Sequence, residues 1–390
     1  MNKTVLISGA GVAGSTLAYW LARQGYEVTV VERAAALRSS GNPVDVKGPA
    51  VAVAEQMGIM PQLRAAGSAV DRMTFVDGSG KSVGRIPLAA FQGSGGDREV
   101  EVPRADLAAI LLAASRAEAE FVWGDTITGL TQDSEGVGVT FAKASPRRFD
   151  LVIGADGLHS TVRRLAFGPE SEFVRHKGMF VATMPIDAPV GSDREVVIYN
   201  TPGRAVSVHP TRGRALAAFI FRHDAVPGFD HRDQASHKRL VAEAYSGGSW
   251  RLPELLQRMD AADLYFDAVS QVDSPTWSTG RIALVGDAGS SLSLFGDGST
   301  LAMAGAYTLA EELGAADNPA TALHRYEARH RKLVRSKQGG FRIAGALLVP
   351  ATRTGIALRN GATRLTPALT ALANLRSART VSATQRVHAG

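Results

Sequence analysis

Thr4 to Arg33 reads TVLISGAGVAGSTLAYWLARQGYEVTVVER, and the rest of the chain is organised around it. Val5, Leu6 and Ile7 form a short apolar run that stops at three spaced glycines, Gly9, Gly11 and Gly14. Leu17, Ala18, Leu21 and Ala22 then recur at helical spacing, and Glu27 to Val31 make a second strand closed by Glu32. A strand, a glycine turn, a helix and a strand ending in an acid compose a βαβ nucleotide-binding unit. Gly9 permits the tight turn, Gly11 lets backbone N–H groups approach a pyrophosphate, and Gly14 lets the helix pack close to the strand. The phosphates then sit at the helix N-terminus, where unpaired amides and the dipole favour negative charge. Glu32 follows Gly14 by 18 residues and is placed to hydrogen-bond ribose hydroxyls.

Two later stretches repeat this logic. Asp150 to Arg163, DLVIGADGLHSTVR, is a buried strand ending in Gly154, followed by Asp156-Gly157 and a helix starting near Ser160. Asp156 is a candidate acceptor for ligand hydroxyls, and Gly157 frees the backbone to approach a ligand. Arg281 to Asp287, RIALVGD, is a third strand ending in Gly286-Asp287; it runs through Gly296 and Gly298 into a helix that Ser299 or Thr300 would cap. A nucleotide-binding sheet revisited after about 120 residues makes a discontinuous domain.

Between these returns lie a glycine- and proline-marked loop from Ser39 to Gly48, with Asp45 and Lys47 as its polar candidates, and a helix opening at Pro103-Arg104. A cation in a first helical turn opposes the dipole, so Arg104 calls for an anion or a carboxylate beside it. From about Phe173 to Asp273 the pattern becomes period-two strands joined by Pro/Gly turns, an antiparallel sheet with helices at Gln234 to Tyr245 and Pro253 to Met259. Val206 and Val208 share one face, as do Phe219 and Phe221; these four are the candidate substrate wall, with core packing as the simpler alternative. His209 and His223 are possible proton-transfer groups, against the commoner structural role of a lone histidine.

The chain has 390 residues, 45% hydrophobic and 21% charged, which suits two packed domains of an enzyme. It has no cysteine, which excludes disulfides and thiolate metal sites and fits a reducing cytoplasm. No metal constellation or acyl-transfer triad is evident. Met1 leads straight into the first strand, so no signal peptide is expected. The net charge of +6 is uneven: residues 322–390 carry eleven Arg and two Lys against Glu327 alone, a net +12. The basicity belongs to the tail, where a solvated helical face is the plainer reading than a nucleic-acid or lipid contact.

Gly9-x-Gly11-x-x-Gly14 with Glu32, Asp156-Gly157 and Gly286-Asp287 occur in the order and spacing of one family. From Lys3 to about Leu333 the chain resembles the single-component (group A) FAD-dependent monooxygenases with the p-hydroxybenzoate hydroxylase fold. It is nearest to the antibiotic- and polyketide-modifying branch that includes the tetracycline-inactivating enzymes. The resemblance implies an α/β (α+β overall) fold: a Rossmann-like, GR2-type FAD-binding domain from residues 1–75, 100–172 and 274–335. Residues 76–99 and 173–273 would form an inserted antiparallel-sheet substrate domain, and 336–390 a basic C-terminal helical segment.

The cofactor implied is FAD, with Gly9, Gly11, Ala13, Gly14, Glu32 and Arg33 around its ADP half. Arg104 and Asp287 match the pyrophosphate and ribityl positions, and Asp156 and Gly157 match the motif tied to FAD and NAD(P)H handling. Gly286, Gly296, Gly298, Ser299 and Thr300 complete the FAD contacts, and Asp45, Phe295 and Gly296 are candidates beside the flavin ring. NADPH or NADH would reduce the flavin transiently. O2 would then add to the reduced ring, and the hydroperoxide would give one oxygen to an aromatic or polyketide-type substrate. A monomer or homodimer in the cytoplasm, without nucleic acid or integral membrane association, is expected.

The chain departs from its relatives where many have Asp-Ala-Ala-His, prolines and Gly-Gln-Gly. It has Asp287-Ala-Gly-Ser290 and then Leu294-Phe-Gly-Asp-Gly298, one residue shorter. That leaves the pocket beside the ring, and the substrate, open. The competing readings are a flavin dehydrogenase without productive oxygen insertion, a halogenase lacking its tryptophan signature, and a catalytically silent flavin-binding protein.

Overall fold

The computed structural model describes residues 3–37, 42–88, 98–187, 189–211, 214–291, 297–338 and 341–363. Phe295 and Gly296, two of the expected ring contacts, lie outside the described residues.

Thr4–Ser8 is a central strand of a six-stranded sheet. Glu27–Glu32 pairs parallel on one side of it and Leu151–Gly154 on the other, with Ser8 opposite both Val31 and Gly154. Glu120–Trp123 extends one flank; Ile282–Leu284 and the short antiparallel Ser278–Thr279 extend the other. Val5, Leu6, Ile7, Leu151, Val152 and Ile153 are all fully buried. Such near-continuous apolar runs are what a parallel sheet covered on both faces requires. One face carries Val12–Arg23, Asp297–Ala315 and Pro319–Gln338, whose apolar stripes join it in the largest core. The other face packs on the helix Thr161–Ala166 and a three-stranded sheet of Ile127–Gln132, Val137–Phe141 and Arg147–Phe149.

The second large sheet has seven strands in the order Tyr265–Val272, Val174–Ile186, Arg214–Arg222, Arg204–Thr211, Glu195–Thr201, Arg72–Val76 and Ser82–Pro87. All pair antiparallel except Glu195–Thr201 with Arg72–Val76. Arg72–Val76 therefore belongs to this sheet, which corrects the expected nucleotide-domain boundary at residue 75. One face is covered by the helices Gln234–Tyr245 and Leu252–Met259, and buried under them are Val206, Val208, Phe219 and Phe221. Beneath these, the Tyr245 hydroxyl donates to the carbonyls of Ala205 and Ile220 at 2.6 and 3.0 Å.

On the opposite face, the C-terminal helices Phe341–Leu348 and Arg353–Thr363 close one end. Leu348 and Val349 pack on Met179, Ala205, Ile220 and Val269. Arg359, only 7% exposed, lies 3.7 Å from the Phe75 ring centroid and donates to the Asn200 side chain at 2.7 Å. No single helix among the described residues is long and apolar enough to cross a membrane.

Three expectations need correction. The stretch read as a loop from Ser39 to Gly48 contains a strand, Pro43–Val46, paired antiparallel with Val100–Pro103. Its glycine and proline lie at the ends, and Val46 and Val102 between them are fully buried. The third signature's helix begins at Asp297, so Ser299 and Thr300 sit inside its first turn and do not cap it. The expected substrate wall of Val206, Val208, Phe219 and Phe221 is core beneath helices.

Candidate active site

The three sequence signatures, far apart in the chain, touch one another. Gly9 has φ +105°, and a Cβ there would stand 2.6 Å from the carbonyl oxygen of Ala155. A Cβ on Gly14 would stand 1.9 Å from the Gly9 carbonyl oxygen, so only glycine lets the helix approach this turn. A Cβ on Gly286 would meet the Ala13 methyl at 2.8 Å, which joins the third signature to the first. Backbone bonds from Ala155 N to Ser8 O and from Val285 N to Gly154 O lock the three strand ends together.

Around this knot lies open space. A Cβ on Gly11 or Gly157 would meet nothing within 4 Å. Gly11 caps the helix Val12–Arg23 with no side-chain bond to its free amides and no acid in the first turn, as a bound anion requires. Asp287 supplies the complementary feature. Burial pushes its carboxyl up, Arg104 opposes the shift and Asp267 adds to it, while no described group donates a hydrogen bond to it. An acceptor left bare beside a guanidinium fits a ligand that carries hydroxyl donors and a phosphate, which FAD is. Arg104 sits where its charge has a reason, at the first position of Arg104–Ser115 and within reach of Asp287 and Tyr265.

Other predicted residues play different parts. Both Glu32 oxygens accept backbone bonds, from Ala10 N at 3.0 Å and Ala34 N at 2.9 Å. Glu32 thus braces the glycine turn, and any bond to a ribose uses its remaining lone pairs. Arg33 is exposed beside it and close enough to His231 to act on that ring's charge. The Asp156 carboxylate is taken up by the protein, accepting from the Ser160 hydroxyl at 2.5 Å and the Thr161 amide at 2.8 Å. It organises the helix Thr161–Ala166, and any bond to a ligand hydroxyl uses its remaining lone pairs.

Ser299 and Thr300 donate to the Asp45 carbonyl at 2.6 and 3.1 Å, so they pin the strand Pro43–Val46 to the helix start. The Asp45 carboxylate is paired with Lys47 at 2.9 Å, and Lys47 also reaches Asp297 at 3.3 Å. Gly298 lies beside Asp287 at the same helix start, a Cβ there standing 4.0 Å from Asp287 Oδ1.

Sequence reasoning missed several residues. Arg163 is fully buried, donating to the carbonyls of Ala288 at 2.8 Å and Leu158 at 2.6 Å, and so ties the second signature to the third. Its place in DGLHSTVR was visible; its burial was not. Glu101 faces Asp45 across the strand pair, and burial, then Asp45, pushes its carboxyl up to about 7. His159 packs flat on His231 at 4.0 Å, holds Glu170 at 3.0 Å, and lies at ion-pair distance, 3.5 Å, from Asp267 of the second sheet.

The second sheet turns its other face to this site. Residues opposite one another in neighbouring strands share a face, and Tyr265 lies opposite Thr183, Thr183 opposite Ala218, and Ala218 opposite Ser207. The next row holds Pro185, Leu216 and His209. Tyr265 is within electrostatic reach of Arg104 and Asp287. The face whose edge residue Tyr265 reaches the nucleotide site is therefore the one carrying Thr183, Ala218 and Ser207, one residue out of step with the predicted wall.

Known proteins share this arrangement. Residues 2–337 match the family model described as FAD binding domain. An uncharacterized protein of Mycobacterium tuberculosis is 40% identical over 80% of this chain and 86% of its own. A flavin-dependent monooxygenase of Legionella longbeachae is 36% identical over 86% of this chain and 87% of its own. The crystal structure of tetracycline destructase Tet(51) superposes with a TM-score of 0.81 at 29% identity, covering 93% of this chain and 96% of that one.

Proposed function

This chain belongs to the flavin-dependent monooxygenases built on the FAD binding domain, and from that premise we propose that it places one oxygen atom of O2 on an aromatic or polyketide-type small molecule, with NADPH or NADH as electron donor. Bound FAD supplies the oxygen-activating redox chemistry. Gly9, Gly11 and Gly14 shape the turn for the pyrophosphate, the Val12–Arg23 helix offers its amides, Arg104 neutralises charge, and Asp287 receives the ribityl hydroxyls.

The observation that carries the reading is Tyr265, which shares a sheet face with Thr183, Ala218 and Ser207 and lies within electrostatic reach of Asp287 and Arg104. A wall that sets hydroxyls of Tyr265, Thr183 and Ser207 among apolar neighbours such as Ala218, Leu216 and Pro185 suits a flat, oxygenated ring system.

The test is spectroscopic and then stoichiometric. The purified protein should be yellow, release FAD on denaturation, bleach under anaerobic NADPH or NADH and recolour in air. In a panel of hydroxylated aromatic and polyketide compounds, at least one should accelerate NAD(P)H oxidation at least tenfold and gain one oxygen by mass. Nicotinamide oxidation that forms only peroxide with every compound would reject oxygen insertion.

A further inference from the structure

Among the described polar groups on the Ser207 face, His209 is left incomplete. His209 Nε2 lies 3.0 Å from Ser207 Oγ, two residues back along the same strand and on the same face. Its other ring nitrogen, Nδ1, is buried and has no hydrogen-bond partner among the described residues. Buried polar atoms without partners are costly and uncommon, and each calls for a physical explanation, a functional role among them. Neighbouring wall positions in its row, Leu216 and Pro185, are apolar and offer it nothing.

We propose that His209 is the specificity residue of the substrate site: Ser207 fixes the imidazole through Nε2, and Nδ1 hydrogen-bonds a ring or enol hydroxyl of the substrate. This deepens the monooxygenase reading and rests on it, because it takes the Ser207 face to be the substrate wall. It narrows the substrate class to compounds bearing a ring or enol hydroxyl and separates them from their deoxy and O-methyl analogues.

The chemistry also decides what His209 does with that hydroxyl. Burial alone pushes the imidazole down to about 4, and no charged neighbour contributes. A phenol has an ordinary pKa near 10, so moving its proton to this ring is unfavourable by about a millionfold. His209 therefore holds the hydroxyl as a neutral acceptor and does not remove its proton. The bond orients the ring and sends electron density toward it through the O–H group. Either imidazole tautomer leaves Nδ1 one unmatched position, and the tautomer that donates from Nε2 to Ser207 is the one that accepts from a substrate hydroxyl.

The experiment compares alizarin with its dimethyl ether as probes of the FAD-loaded protein, reading Kd from flavin absorbance and tryptophan fluorescence. Wild type should bind alizarin about 10- to 100-fold more tightly than the ether, the range expected of one neutral hydrogen bond to a buried partner. His209→Leu should bring the two within about threefold by weakening alizarin alone. His209→Asn, which places a polar atom where Nδ1 stands, should restore part of the preference. The wild-type ratio should stay flat from pH 5 to 8, and long-range imidazole NMR should show a neutral His209 across that range.

Discrimination that survives His209→Leu overturns the proposal, as does a wild type that prefers neither probe or binds neither. Should the hydroxyl preference be missing while FAD uptake and substrate-stimulated NAD(P)H oxidation are intact, only the His209 assignment falls. A protein that takes up no FAD overturns the monooxygenase reading instead, and tryptophan fluorescence still reports the probe comparison.

Discussion

Two glycines of the same motif do opposite things, and substitution separates them. A methyl on Gly14 meets a carbonyl oxygen at 1.9 Å, so Gly14→Ala should cost about 2–3 kcal/mol and strip FAD at the same time. Gly11 has ordinary φ, −76°, and open space beyond it. Gly11→Ala should leave thermal unfolding within about 0.5 kcal/mol of wild type while weakening FAD at least tenfold; parallel melting curves and flavin titrations check both. Glu101 yields a pH signature. Its folded value, about 7, stands above the ordinary 4.5, so its contribution is present below that ordinary value and lost as pH rises through 7. Ionised Glu101 should cost roughly 3 kcal/mol, and Glu101→Gln should be the more stable form at pH 8 but not at pH 4, by urea denaturation.

Among elements, what could be read in advance divides by whether the signal is local. The βαβ unit and the three glycine–acid stops were legible because their residues answer to geometry a few positions away. The helix Gln234–Tyr245 was legible within the period-two region. Which face of the second sheet is covered was not. Val206 and Ser207 are adjacent and their strand alternates correctly, but only the helices laid across one side make Val206 core and leave Ser207 to the site. Pro43–Val46 escaped for a related reason, since a four-residue strand between turn residues exists only through its pairing with Val100–Pro103.

The contact between elements from the two sheets is also testable. Burial by itself would lower His159, but Asp267 and Glu170 outweigh it and raise the ring to about 9. That stabilisation, roughly 3 kcal/mol, is complete below the ordinary value of 6.5 and is lost as pH rises through 9. His159→Gln should therefore destabilise the protein at pH 6 and have little effect at pH 10, measured by denaturant midpoint.

At the scale of the whole molecule, the cofactor site is assembled from three returns of one chain to a single sheet. Strand Thr4–Ser8 is flanked by Glu27–Glu32, which follows at once, and by Leu151–Gly154, which in turn waits for Ile282–Leu284. Synthesis proceeds at about 5–20 residues per second, so the glycine turn leaves the ribosome some 15–60 s before the strand that completes its neighbourhood. Until then the apolar runs at Val5–Ile7 and Leu151–Ile153 are uncovered sheet edges, the kind of surface that draws chaperones or aggregates. Gly286, Asp287 and the helix from Asp297 arrive last, so a ribosome-stalled chain ending near residue 270 should retain no flavin, whereas one carrying all of residues 1–338 can begin to. The order of synthesis makes the Gly9–Gly14 turn wait on residues some 270 positions later, and flavin capture a check that the chain has been made past the helix from Asp297.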